Sequence, residues 1–197
     1  IPEPAAGQVV MQVMRIGICG SDIHVYHGNH KYATLPLVQG HEGSGAVLKV
    51  GSGVSELAPG DLVTLRPQSF CGECFLCKQG RYNLCESYKV MGVLGGLTGM
   101  ASEYFLVDAS KLHKLPPTMT FDEGAVVEPA AVGVHAVKLG GTAAGSKVLV
   151  IGAGPIGNLA AQAAKALGAE KVMIADISDV RLDLAKKCGI DFVINTL

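Results

Sequence analysis

Four cysteines crowd into one short stretch, Cys71-x2-Cys74-x2-Cys77-x7-Cys85, within 15 residues. Close Cys-x-x-Cys steps favour a shared metal ion over a disulfide framework. Zn²⁺ takes four thiolates tetrahedrally, and an all-protein shell leaves no position open for substrate. The spacing therefore predicts a structural zinc that clamps a loop with little core of its own. Four reduced thiols and an iron–sulfur cluster are the alternatives. Cys19 and Cys188 stand far from the cluster, and Cys188 reads as an ordinary core thiol.

A second chemical signal is Gly152-Ala153-Gly154-Pro155-Ile156-Gly157. It matches G-x-G-x-x-G, follows a predicted strand and opens a predicted helix, the context in which that motif binds a dinucleotide. The first glycine makes the tight turn, the second admits a pyrophosphate, and the third lets helix and strand pack closely. The helix N-terminus favours the phosphate charge. Asp176 lies 19 residues beyond Gly157, at the end of the next strand. A carboxylate there accepts ribose hydroxyls and repels a 2′-phosphate, so NAD is expected rather than NADP. The alternative is a ligand-free turn with Asp176 capping the helix that starts near Ser178. Arg181 either packs near the adenine or is a solvated helix residue.

Cys19, His41, Glu42 and Glu128 are metal-capable but scattered. Flanking glycines in Gly40-His41-Glu42-Gly43 permit unusual backbone angles. Glu128 interrupts the apolar run Ala125–Ala130, and an acid in such a run is rarely buried unless paired or bound to metal. On spacing alone a packed core is the commoner reading of such lone residues, because only His41 and Glu42 are neighbours in sequence. In an extended strand His41 and Glu42 point to opposite faces, so joint ligation needs a turn there.

Two kinds of element must hold these groups. Residues 1–129 are rich in Gly, Pro and His, with strand-like runs at Val9–Ile18, Gly45–Val50, Leu62–Leu65 and Glu103–Val107. Such runs, broken by Gly and Pro turns, predict an irregular β-barrel or all-β domain. From Ala130 the pattern changes. A helix over Ala130–Leu139 leads to strand Lys147–Ile151, helix Pro155–Leu167, strand Lys171–Ala175, helix Asp179–Lys187 and strand Phe192–Ile194. Alternating strands and helices predict βαβ units on a parallel sheet. The fold class is thus α/β, with domains at 1–129 and 130–197. A full doubly wound domain carries about six strands, so residues 130–197 correspond to its first half, and these 197 residues alone are expected not to turn over substrate.

Composition narrows the function. At 49% hydrophobic and 17% charged residues with a formal net charge of −1, the chain is not disordered. No basic cluster suited to nucleic acid appears, and no apolar run reaches the ~18–20 residues that span a bilayer. The start, Ile1-Pro2-Glu3-Pro4, lacks an initiator Met and a secretory signal and reads as a chain that begins mid-sequence. A reducing cytoplasm is the expected setting for its thiols.

Several segments together resemble the zinc-dependent medium-chain dehydrogenase/reductase family. Gly17-Ile18-Cys19-Gly20-Ser21-Asp22-Ile23-His24 is similar to its catalytic-cysteine motif, and Gly40-His41-Glu42-Gly43-Ser44-Gly45 to its Gly-His-Glu motif. Pro59-Gly60-Asp61 with Val63, the four-cysteine lobe and the nucleotide turn follow in the family's order. Glu128-Pro129 with Val132–Ala136 resembles the polyol dehydrogenases, of sorbitol or L-iditol type, and their threonine-dehydrogenase relatives.

The resemblance implies a GroES-like catalytic domain, a Rossmann sheet, two Zn²⁺ per chain and NAD. It implies that Cys19 and His41 ligate a catalytic zinc, with Glu42 and Glu128 as alternative or exchanging third ligands. Ser21 would hydrogen-bond the substrate hydroxyl and pass its proton by way of the cofactor ribose to His24. Histidine suits this exit because its unperturbed pKa is about 6.5. A helix N-cap is the alternative for Ser21, and a plain surface position for His24. His27, His30 and His113 match no motif and are expected at the surface, and His135 in packing. The implied reaction is oxidation of a secondary alcohol of a polyol to a ketone in a cleft between the domains. Another zinc alcohol dehydrogenase, acting for example on L-threonine, and a non-enzymatic NAD(H)-binding or structural protein on the same fold are the alternatives. The implied partners are a small polyol or alcohol and further copies of the chain in a dimer or tetramer, with no nucleic acid and no membrane.

Overall fold

A computed structural model describes all 197 residues. The chain divides into two units, Ile1–Glu128 and Pro129–Leu197.

The first unit is built on antiparallel strands β1 (Gln8–Gly17), β2 (Glu42–Val50), β3 (Leu62–Leu65), β6 (Tyr104–Asp108) and β7 (Leu112–Lys114), in sheet order β6-β1-β2-β3-β7. Val9, Met11, Val47, Val63, Leu65, Phe105 and Val107 form the centre of its core. The β1–β2 register shifts between Val10 and Met11 and between Val13 and Arg15. Such bulges bend a strand and re-aim its side chains, which is how Val9, Val10 and Met11 all come to be buried in succession. Helix α1 (Gly20–Tyr26) follows β1 directly. A two-stranded hairpin, β4 (Gln68–Ser69) with β5 (Lys89–Val90), forms the stem of the cysteine lobe, which also contains the short helix α2 (Phe75–Lys78).

Helix α3 (Phe121–Leu139) starts nine residues before the expected Ala130 and contains Pro129. Its start is fixed by a reciprocal box. The Thr120 N–H donates to Glu123 Oε2 at 2.7 Å, and the Glu123 N–H donates to Thr120 Oγ1 at 3.2 Å. Proline removes one helical N–H donor, but six hydrophobic or small residues around it carry the helix through (Gly124–Val127, Ala130 and Ala131). Glu128 is therefore a helical residue.

The second unit contains β8 (Lys147–Ile151), α4 (Pro155–Ala166), β9 (Lys171–Asp176), α5 (Asp179–Lys187) and β10 (Phe192–Asn195), with parallel strands ordered β10-β9-β8. Ala160, Ala161, Ala163 and Ala164 of α4 pack against Val172 and Ile174 of β9, with Leu182 and Ala185 of α5 beside them. An alanine face lets helix and sheet approach closely. The opposite sheet face carries Leu149, Ile151, Phe192 and Ile194, all exposed. His135, expected in packing, is exposed on α3, and Cys188 is half-buried.

Candidate functional site

The cysteine lobe gathers its four thiols. The ligand atoms of Cys71, Cys74, Cys77 and Cys85 all lie within 4.8 Å of one another. Cys71 Sγ is 3.6 Å from Cys85 Sγ and 4.0 Å from Cys77 Sγ. A tetrahedron with Zn–S bonds of about 2.3 Å has sulfur–sulfur edges of roughly 3.8 Å, so the spacing fits zinc. All six cysteines are free thiols. Backbone N–H groups of Cys71 and Ser87 point at Cys85 Sγ, and those of Glu73 and Cys74 at Cys71 Sγ, each at 3.3–3.4 Å. Such donors favour thiolate. The Cys74 thiol is pulled down to about 6 by the N–H groups of Cys77 and Glu86. Cys85 is lowered chiefly by the Cys71 N–H, while burial raises Cys77.

A second donor set forms where β1 ends and β2 begins. Donor atoms of Cys19, His41 and Glu42 lie within 4.8 Å of one another. The turn that joint ligation requires is present: Gly40 sits at φ +94°, a conformation that favours glycine. Gly17 pairs with Glu42 across the sheet, and a methyl group on Gly17 would meet the Glu42 carboxylate. One thiol, one imidazole and one carboxylate make a three-donor set that suits zinc with a position open.

Glu128 stands outside that set. Its Oε1 lies 3.5 Å from Gln68 Nε2. Burial, and then the charge of Glu42, push the Glu128 carboxyl up to about 7. The two acids left as alternatives thus differ: Glu42 joins Cys19 and His41, while Glu128 lies outside that set with Gln68 as its side-chain partner.

Helix α1 positions three further groups. Its N-cap is Cys19 rather than Ser21, and the Asp22 carboxylate accepts the Cys19 N–H at 2.9 Å. Ser21 Oγ is buried and has no hydrogen-bond partner. His24 lies exposed in the last turn. His27 and His113 are exposed, while His30 is half-buried with an unpartnered Nδ1.

Sequence reasoning passed over Asp22, Gln39 and Gln68. Asp22 Oδ1 faces His41 Nδ1 at 3.9 Å, with both side chains largely buried. Gln39 Nε2 donates to the Asp22 carbonyl at 3.0 Å and lies 3.4 Å from its Oδ1. At 3.9 Å the approach of Asp22 to His41 is a charge contact rather than a hydrogen bond, and His41 Nδ1 is buried without a hydrogen-bond partner. The signal was present in the motif itself, three residues after Cys19, but spacing does not say which way an acid on a helix points.

In the second unit the glycine turn has three distinct environments. Gly152 sits at φ +99°. A methyl on Gly154 would meet nothing within 4 Å, whereas one on Gly157 would run into the Gly152 carbonyl oxygen. Pro155 occupies the first turn of α4, where its missing N–H costs nothing, and Ile156 follows it, partly exposed. The Asp176 carboxylate accepts the Ala153 N–H at 2.7 Å and the Ser178 N–H at 2.9 Å. These two donors, with Arg181 Nη1 at 3.7 Å, hold its carboxyl below the usual range. Asp176 thus ties the glycine turn to the end of β9 as well as capping toward α5.

Residues 5–117 match the model of the alcohol dehydrogenase GroES-like domain, and residues 155–197 that of the zinc-binding dehydrogenases. The chain is 43% identical over 198 residues to sorbitol dehydrogenase of Homo sapiens, covering 98% of this chain and 55% of that protein. It is 38% identical over 198 residues to L-threonine 3-dehydrogenase of Pyrococcus furiosus, covering 99% and 56%. The crystal structure of galactitol-1-phosphate dehydrogenase from Escherichia coli superposes with a TM-score of 0.91 at 38% identity, covering 100% of this chain and 56% of that one. The chain thus spans little more than half the length of these relatives.

Proposed function

Because the chain belongs to the zinc-binding alcohol dehydrogenase family, we propose that it is the catalytic unit and first nucleotide-binding segment of a zinc- and NAD-dependent dehydrogenase. Its substrate is a secondary alcohol of a polyol, oxidised to a ketone. The convergence of Cys19, His41 and Glu42 carries this reading. A structural role would not require a thiol, an imidazole and a carboxylate to meet while an unpartnered hydroxyl, Ser21 Oγ, stays buried nearby in sequence.

When bound, zinc supplies Lewis acidity that lowers the pKa of a hydroxyl, and NAD supplies the hydride acceptor. Cys19, His41 and Glu42 would hold the metal, with the Asp22 carboxylate facing His41 Nδ1 across 3.9 Å. Ser21 Oγ would accept the hydrogen bond of the reacting hydroxyl and take its proton while giving up its own hydroxyl proton. His24, at the exposed end of α1, is the group placed to pass a released proton to solvent. Glu128 stands by as a second carboxyl that can replace or assist Glu42. Cys71, Cys74, Cys77 and Cys85 hold a second zinc that keeps the lobe folded. The N–H groups at the start of α4, above the open Gly154, receive the pyrophosphate. Asp176 keeps lone pairs free for the ribose hydroxyls, and its charge selects against a 2′-phosphate.

Metal analysis tests the first half: two zincs per chain, with one lost in Cys19→Ser, is the expected result. A turnover panel of the complete reading frame with NAD and NADP tests the second, using sorbitol, xylitol, butanediol and L-threonine. Turnover of L-threonine and of no polyol would move the substrate assignment to the threonine branch. No helix is long and apolar enough to cross a membrane.

A further inference from the structure

Cys19 and His41 reach the metal-ligand set from different elements. Cys19 caps α1, whereas His41 ends the loop that leads into β2. The loop side is held firmly. The N–H groups of Gly99, Met100 and Ala101 donate to the carbonyls of Val38, Gly40 and Gln39 at 2.7, 2.9 and 3.0 Å. A methyl group on Gly99 would run into the Gln39 carbonyl, so the two backbones touch. Gln39 is thus anchored just ahead of His41, with its side chain half-buried.

That side chain crosses to α1. The Gln39 amide makes both hydrogen bonds that join this turn to the helix: Nε2 donates to the Asp22 carbonyl at 3.0 Å and reaches Asp22 Oδ1 at 3.4 Å. Asp22 in turn addresses both ligands. Its Oδ2 accepts the Cys19 N–H at 2.9 Å, and its Oδ1 faces His41 Nδ1 across 3.9 Å. Gln39 is the one hydrogen-bond donor on Oδ1. Take that donor away, and a largely buried carboxylate oxygen loses its partner while the carboxylate becomes free to turn from His41. An amide nitrogen carries two protons to give; a carboxylate in its place would carry none.

We propose that Gln39 is a positioning residue of the metal centre: its amide holds the Asp22 carboxylate between Cys19 and His41 and so sets the spacing of thiol and imidazole, a role that rests on the metal half of the dehydrogenase reading. Groups behind metal ligands commonly govern affinity 10–100-fold, and Gln39 acts through one further residue, so an effect of about tenfold is expected.

The test is zinc affinity at the Cys19 set of the full protein, measured by competition with a chromogenic chelator, with the lobe zinc as internal reference. Gln39→Glu keeps the shape but cannot donate, and Gln39→Met keeps the length without either polar atom. Gln12→Glu, exposed on β1, is the control for added charge. Both Gln39 variants are expected to bind zinc about tenfold more weakly at the Cys19 set, with the lobe zinc and the control unchanged. Wild-type affinity in Gln39→Glu would mean that shape alone matters and would overturn the proposal. So would a loss shared equally by both zinc sets, which is what general destabilisation produces. A double-mutant cycle adds a readout that plain packing would not move. On an Asp22→Asn background Gln39→Met should cost less than about threefold, because the two residues act as one unit; an undiminished loss overturns the route through the carboxylate. If the variants fail to fold, nuclear magnetic resonance of the wild-type Gln39 side-chain amide decides. Its protons should exchange slowly with solvent and shift on zinc loading, and exchange as free as that of an exposed glutamine overturns the proposal. If Cys19→Ser keeps both zincs, the metal reading and the role of Gln39 fall together. If Cys19→Ser loses one zinc while Gln39→Glu binds as wild type does, the role of Gln39 falls alone.

Discussion

The glycine turn allows cofactor binding to be separated from folding by a single methyl group placed at three positions. In Gly157→Ala the new Cβ collides with the Gly152 carbonyl oxygen and sits 3.4 Å from Val150 Cγ1. Relief requires α4 to move off β8. Overpacking of this kind costs about 1–3 kcal/mol. For a unit of this size each kcal/mol shifts the melting temperature by roughly 4–8 °C, so a fall on the order of 10 °C is expected. Gly152→Ala places an L-residue at φ +99°, at a cost of about 1–2 kcal/mol. Gly154 sits at φ −66° and ψ −179°, extended backbone that alanine adopts, with open space around it. Gly154→Ala should therefore melt within about 0.5 kcal/mol of wild type. That open space is where a pyrophosphate must approach the α4 N–H groups. A methyl there forfeits a charge-assisted hydrogen bond of about 1.5–3 kcal/mol, or roughly 10–100-fold in affinity. Circular dichroism gives the melts. The chain contains no tryptophan, so the fluorescence of bound NADH reads binding directly. A Gly154→Ala protein that melts as low as Gly157→Ala, or that keeps its NADH affinity, would refute the reasoning.

Other perturbations read the two metal sets. In the metal-free chain Glu128 has a folded pKa raised from 4.5 to about 7, so the folded state holds its proton more tightly than the unfolded state does. Stability should fall as pH rises from about 4.5 through about 7, and Glu128→Gln should flatten that slope in urea unfolding; an unchanged slope counts against the buried acid. Asp22→Asn removes the carboxylate facing His41 and should weaken zinc about 10–100-fold at that set alone, measured by competition with a chromogenic chelator. Cys77→Ser should remove one zinc equivalent and open the lobe to proteolysis between Cys71 and Cys85, leaving the Cys19 set loaded. Ile174→Ala, fully buried in β9, should cost about 2–5 kcal/mol in the second unit without altering zinc content.

Periodicity and motif context carried a reading far where local residues decide the outcome. The strand Leu62–Leu65 and the helix Asp179–Lys187 have the expected bounds, because turn residues flank each. The βαβ pattern of the second unit was equally legible, since a parallel sheet writes itself as apolar runs separated by helix formers. The start of α3 was missed because Pro129 argues against a helix locally, while the Thr120–Glu123 box that starts it lies upstream. Cys71–Cys85 could be read as a unit because its donors are near in sequence. Cys19 and His41 meet only through the β1–β2 pairing, which spacing does not encode. Long-range register also decides that Glu42 joins them.

The cysteine lobe has a redox consequence. Thiols held 3.6–4.0 Å apart for a metal are also close enough to become bonded after a small movement, since a disulfide needs about 2.05 Å. With Cys74 lowered to about 6, a thiolate nucleophile is present at neutral pH. Zinc occupies these sulfur lone pairs and blocks that chemistry. Once stripped of metal, the lobe becomes a two-electron reductant: a thiolate and a neighbouring thiol join as a disulfide, peroxide takes both electrons and the thiol proton and leaves as water and hydroxide, and the disulfide excludes zinc until a reductant restores the pair. Chelation in air and chelation under reductant should therefore yield two different proteins, only the second of which takes zinc back at once.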